Sequence, residues 1–117
     1  MITLNLPWPP SINHYYGTKP GGFAKFIGAK GKAFRSEVVR AAHIQEIKPF
    51  HKNDRLHIRI DLFPPDKRKR DIDNILKALF DSLEHARIID NDSQFDRLYI
   101  QRHDTYGGCV RVTIHKC

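Results

Sequence analysis

Apolar and polar residues alternate from the start of the chain. Ile2, Leu4 and Leu6 stand against Thr3 and Asn5, a short half-buried strand stopped by Pro7, Pro9 and Pro10. A loop follows with Asn13, Tyr15, Tyr16 and several glycines, and Phe23-Ala24-Lys25-Phe26-Ile27 within it reads as a short strand or an exposed arm. From Gly31 apolar residues recur at helical spacing (Ala33, Phe34, Val38, Ala41, Ala42), with Arg35, Glu37 and Arg40 between them, and Pro49 closes the region. Leu56, Ile58, Ile60 and Leu62 then alternate with His57, Arg59 and Asp61, a second half-buried strand ended by Pro64-Pro65. A second helix is predicted from about Ile72 to His85, with Ile75, Leu76, Leu79, Phe80 and Leu83 on its apolar face. Two more strands, near 95–103 and 109–115, flank a turn at Tyr106-Gly107-Gly108 and are expected to form an antiparallel hairpin. The order predicts one mixed α/β (α+β) domain over residues 1–117, with a mixed sheet, two main helices and a C-terminal hairpin. No Gly-rich turn follows a strand, which excludes a dinucleotide-binding Rossmann unit and implies no small-molecule cofactor of that class.

Charge sharpens this picture. Lys and Arg number 20 against 13 Asp and Glu, a net +7, and 40% hydrophobic residues suffice for a packed core. A small domain this basic suits a polyanionic partner, because focused positive potential gathers phosphates. The two cysteines, Cys109 and Cys117, make neither a disulfide framework nor a metal-type C-x-x-C, and read as free thiols in a reducing compartment. None of the seven histidines pairs at i,i+4 or joins a cysteine in zinc spacing. No apolar run reaches transmembrane length and the first residues do not resemble a signal peptide, so a cytoplasmic location without membrane attachment is expected.

The chemistry concentrates in Arg68-Lys69-Arg70-Asp71-Ile72-Asp73-Asn74-Ile75-Leu76-Lys77, where cations run into two carboxylates one residue apart. Carboxylates alone repel a phosphodiester. Carboxylates holding Mg²⁺ reverse that sign, lower the pKa of bound water and polarise phosphoryl oxygens. On a continuous helix Asp71 and Asp73 would diverge by about 200 degrees. Asp71 is therefore expected just before the helix, with Asp73 at or beside its N-cap and Lys77, at i+4, over the same site. The ordinary alternative is an acidic helix start stabilised by the helix dipole, beside a solvated charge run. Asp90 and Asp92 sit in a turn beyond the same helix, and an antiparallel return would carry either one back to its start.

Three blocks of this sequence resemble the RusA family of Holliday-junction resolvases. They are Leu6-Pro7-Trp8-Pro9-Pro10-Ser11-Ile12-Asn13-His14-Tyr15-Tyr16, the stretch from Arg68 through Asp71, Asp73, Asn74 and Lys77 to Leu83, and Asp90-Asn91-Asp92-Ser93-Gln94. The second block is the specific one; order and separation agree over nearly the whole chain. The resemblance implies catalytic, metal-holding aspartates at Asp71, Asp73 and Asp92, with Asp90 as the fallback for the third, and an active-site lysine at Lys77. This chain departs from the family at Asn91, where two adjacent acids usually precede Ser/Ala-Gln. The resemblance further implies a homodimer that nicks two opposed strands of a four-way DNA junction symmetrically with Mg²⁺ or Mn²⁺, in recombination and repair. A phage or prophage origin is in keeping with it. Two related cuts on a two-fold junction call for two related sites, and a dimer doubles the +7 on the DNA.

Lys67, Arg68, Lys69 and Arg70 are the expected phosphate contacts; Phe23 and Phe26, aromatics beside cations in the arm, are the candidates for stacking on unpaired bases, the ordinary alternative being that they pack the arm or form a subunit interface. Two rivals stand beside the resolvase: a non-catalytic dimer that binds branched DNA, and a nuclease that cuts linear duplex equally well.

Overall fold

The alternation in three strands decides where the core lies. In β1 (Ile2–Pro7), β4 (Leu56–Phe63) and β6 (Cys109–Lys116), the residues Leu4, Leu6, Ile58, Ile60, Leu62, Val110, Val112 and Ile114 share one face and are buried. Against it pack α2 (Ala29–Ile44), through Phe34 and Val38, and α3 (Leu76–His85), through Ala78, Leu79 and Leu83. Burying each of the larger side chains contributes about 1.5–3 kcal/mol before chain entropy is set against it. The computed structural model describes residues 1–18 and 25–117. The remaining elements are α1 (Ile12–Tyr15), β2 (Tyr16–Thr18), β3 (Lys25–Ile27), β5 (Phe95–Arg102) and a 3₁₀ turn at Asp92–Gln94. β2 and β3 pair antiparallel as the base of the arm. At Gly31 α2 comes so close to α1 that a Cβ would lie 2.5 Å from the Tyr15 carbonyl oxygen. Only glycine fits there.

The sheet runs β1-β6-β4-β5, with β6 antiparallel to both its neighbours and β5 parallel to β4. This corrects the expected C-terminal hairpin: β5 and β6 are both strands, but β4 lies between them. The connection does not turn back on itself. It steps across the end of β4, where His103 N–H donates to the Leu62 carbonyl (2.9 Å) and Gly107 N–H to that of Pro64 (3.1 Å). Gly108 completes the step at φ 67°, a left-handed conformation natural to glycine. Two strand spacings are about 10 Å, a distance that residues 103–108 between the strands are long enough to cross.

The sheet face away from the helices is polar. Asp61 is buried there, accepting from Arg59 (3.1 and 3.2 Å) and contacting His103 Nε2 at 2.8 Å. Burial alone would raise its pKa, but the hydrogen bonds and charges of Arg59 and His103 hold it below the ordinary value.

Candidate active site

Pro64 and Pro65 end β4 and release the chain into the charged run, whose conformation Asp66 organises. Its Oδ1 accepts from Arg68 N–H (2.9 Å) and Arg70 Nη1 (2.8 Å), and its carbonyl oxygen accepts from Arg70 as well (3.2 Å). The Arg70 hydrogen bond first, then the Arg68 amide, lower the Asp66 pKa to about 2. Arg70 in turn lies over the Trp8 ring at 5.9 Å, and its carbonyl accepts from Arg102 on β5. The basic run is thus a folded loop, pinned at both ends.

Asp71 and Asp73 come next, as exposed side chains. Asn74 N–H donates to the Asp71 carbonyl (3.2 Å) and Leu76 N–H to that of Asp73 (3.1 Å). These are i→i+3 bonds of tight turns, so residues 72–75 form turns and α3 begins only at Leu76. The predicted helix start at Ile72 is corrected by four residues, and the cap position falls on Ile75 rather than on Asp73. Asp71 does precede the helix. The Asn74 carbonyl accepts from Ile12 N–H (3.1 Å), which fastens this turn to the proline-rich segment after β1.

Between that segment, the start of α2 and the basic run lies a cleft of about 630 Å³. Trp8, Pro9 and Phe34 give it apolar walls, and Asp71 stands in the wall contributed by the basic run.

Lys77 is expected over Asp73 but pairs the other way: its Nζ lies 3.2 Å from Asp81 Oδ1, one turn further along α3. The Asp81 hydrogen bond is the main reason its pKa is raised, with Tyr16 adding to it. The ammonium charge is thereby secured.

Asp92 is fixed from behind by Gln94. That buried side chain accepts from Asp90 and Asn91 N–H (2.8 and 3.1 Å) and donates to the His51 and Asp54 carbonyls (2.9 and 3.1 Å). Asn91 Oδ1 accepts from Ser93 N–H at 2.8 Å and caps the 3₁₀ turn. The Asp92 amide donates to Glu84 Oε1 (2.8 Å), in the last turn of α3. Asp71 and Asp73 precede the first turn of that ten-residue helix, whose length is about 15 Å. The antiparallel return that would bring Asp92 back to them does not occur within one chain. Among the described residues, no three His, Cys, Asp or Glu side chains of a single chain stand together as a metal site.

Comparison with known proteins gives this arrangement a family. The model of endodeoxyribonuclease RusA matches residues 7–115. The chain belongs to the RusA family. It is 40% identical over 97 residues to the crossover junction endodeoxyribonuclease of Enterobacteria phage HK97, covering 83% of this chain and 78% of that protein. It is 35% identical over 113 residues to the enzyme of the same name in Escherichia coli K12 (96% and 92% covered), and 37% over 117 residues to that of Enterobacteria phage 82 (95% and 91% covered).

The unusual Asn91 of this RusA chain is explained locally, since its side chain is committed to a cap. Asp90 and Asp92 remain the exposed acids of the turn, Asp90 beside Phe50 and Lys52. Lys67, Arg68 and Lys69 are exposed, whereas Arg70 is largely occupied by Asp66. Phe26 lies in β3, and Phe23 lies outside the described residues. The sequence pattern assigns no part to Asp81, Glu84 and Arg102. Asp81 carries a signal, its i+4 spacing from Lys77; Glu84 and Arg102 carry none, because their partners are set by tertiary structure.

Proposed function

We propose that this chain is a structure-selective DNA endonuclease that resolves four-way junctions by paired, metal-dependent nicks. The observation that carries the reading is a pinned cationic loop that leads into two exposed carboxylates, Asp71 in the cleft wall and Asp73 two residues on, in a chain of the RusA family. The relatives named above are crossover junction endodeoxyribonucleases, which supports branched DNA as the substrate.

Exposed Arg68 and Lys69 neutralise phosphates as the strand approaches, and Lys77, its charge secured by Asp81, adds a cation near the start of α3. Carboxylates one residue apart suit a hard divalent cation, which when bound supplies an activated water and offsets phosphate charge. One chain holds only part of such a donor set. We therefore assign Asp71 and Asp73 of one copy and Asp92 of a second copy to each Mg²⁺ or Mn²⁺ site. A two-fold pair with two antiparallel α3 helices would bring opposite helix ends together. Exposed Leu98 on β5, beside half-buried Ile100, with half-buried Leu76 and Phe80 on α3, leaves apolar surface for such a pairing on the helix side of the sheet. No described helix is long and apolar enough to cross a membrane, which fits action on DNA in the cytoplasm, and relatives in two phages fit a prophage setting.

The test is cleavage of a synthetic four-way junction with Mg²⁺, with Mn²⁺ and with EDTA, beside a linear-duplex control. Metal-dependent paired nicks in the junction alone support the proposal. Tight binding without product under any metal replaces it with a non-catalytic branched-DNA binder, and equal cutting of linear duplex with a general nuclease.

A further inference from the structure

We propose that the cleft beside Asp71 receives one unstacked nucleoside of the cleaved strand and reads its base. The inference rests on the endonuclease reading and adds a subsite to it. A volume of about 630 Å³ lies within the range of about 300–1,000 Å³ typical of small-ligand sites. It suits one nucleoside and is too small for a base pair with its backbones. The walls have the two characters a nucleoside needs. Trp8, aromatic and half-buried, offers a face on which a base can lie, and the buried Pro9 and Phe34 complete the apolar lining. Asn74, Ser11 and Glu37 supply the polar atoms that base edges pair with, Glu37 as an acceptor only.

Position decides what enters. Arg68 and Lys69 line the same cleft as Asp71, so a phosphate that these cations hold beside Asp71 carries its neighbouring sugar and base to this opening. The Trp8 wall is held in place: its amide donates to the Gly108 carbonyl (3.0 Å) and Arg70 lies over its ring. A preformed wall needs little ordering when the base arrives. At the centre of a junction stacking is already interrupted, so a base leaves its neighbours at lower cost than from continuous duplex. The cleft therefore couples two selections, for branch points and for base identity at the cut.

The experiment steps a single abasic residue along the cleaved strand of a four-way junction. The wild-type chain should lose about tenfold in cleavage rate at one position next to the scissile phosphate, and little elsewhere. Ala33, exposed on α2 and lining the cleft, gives the filling variant Ala33→Trp. It should cut the intact junction about tenfold more slowly and be indifferent to the abasic residue. Glu37→Gln should reorder the four bases at that position, and an unchanged base order would deny Glu37 that part. A flat abasic scan from an active wild type, or an Ala33→Trp chain that is folded and cuts like wild type, overturns the subsite while leaving the endonuclease standing. If the wild type binds but never cuts, the endonuclease reading fails instead. The subsite is then decided by binding to the same abasic series. A loss of affinity at one position for the wild type and at none for Ala33→Trp sustains it, and equal affinity at every position overturns it.

Discussion

The Asp92 amide donates to Glu84 Oε1 at 2.8 Å, so the turn bearing Asp92 is tied to the end of α3 remote from Asp71 and Asp73. If one metal is to be shared by three of these acids, as proposed, a second chain has to supply Asp92.

Subunit mixing tests this. Asp71→Asn and Asp92→Asn should each abolish junction nicking while retaining binding. Mixed in equal amounts and allowed to exchange, they should recover about a quarter of the wild-type sites, because each heterodimer rebuilds one intact site. A mixture as inactive as its parents, with exchange shown by a tagged subunit, would place all three ligands within one chain.

Lys69 and Arg70 should separate although they are neighbours. Lys69→Ala should reduce the slope of log affinity against log salt by about one while leaving the melting temperature unchanged. Arg70→Ala removes the link between Asp66 and the Trp8 ring, and should cost about 1 kcal/mol of stability in urea unfolding. Equal slopes and equal stabilities for the two variants would contradict the division.

Asp66 should mark the acid limit of the loop. Its folded pKa of about 2 lies below its ordinary value of 3.8, so the folded state favours the carboxylate. The stability it contributes is complete above about pH 4 and is lost as pH falls through about 2. Asp66→Asn should flatten the stability profile between those limits; a profile parallel to wild type would deny the linkage.

Gln94→Ala should destabilise the chain by about 2–4 kcal/mol, since it strips partners from two amides and two carbonyls. Chemical denaturation measures this directly. Loss of nicking should accompany it even where the variant remains folded, because the turn holding Asp92 is no longer fixed.

The strands and the two long helices are legible in the sequence because alternation and helical spacing are local. Leu56 to Leu62 and Val110 to Ile114 say which face is buried, but not which strand lies alongside. That is why β5 and β6 read as a hairpin although β4 separates them. The start of α3 is misplaced for a related reason: Ile72 fits the helical pattern, yet the turns closed by the Asp71 and Asp73 carbonyls delay the helix to Leu76. Lys77 has a carboxylate four residues away on either side, Asp73 and Asp81, and spacing alone cannot choose between them. Asp92 is identifiable from its block of sequence, but its distance from Asp71 depends on where the chain travels after α3.

The insertion of β6 between β1 and β4 bears on how the protein is made. A ribosome has to deliver the chain as far as residue 116 before the first strand and the fourth acquire the partner that joins them. Until then the nascent polypeptide exposes two unjoined apolar surfaces and has no complete barrier to proteases or aggregation. Folding is thereby deferred until that strand has been made, and a product truncated before it is expected to be degraded rather than to persist in a partly active form.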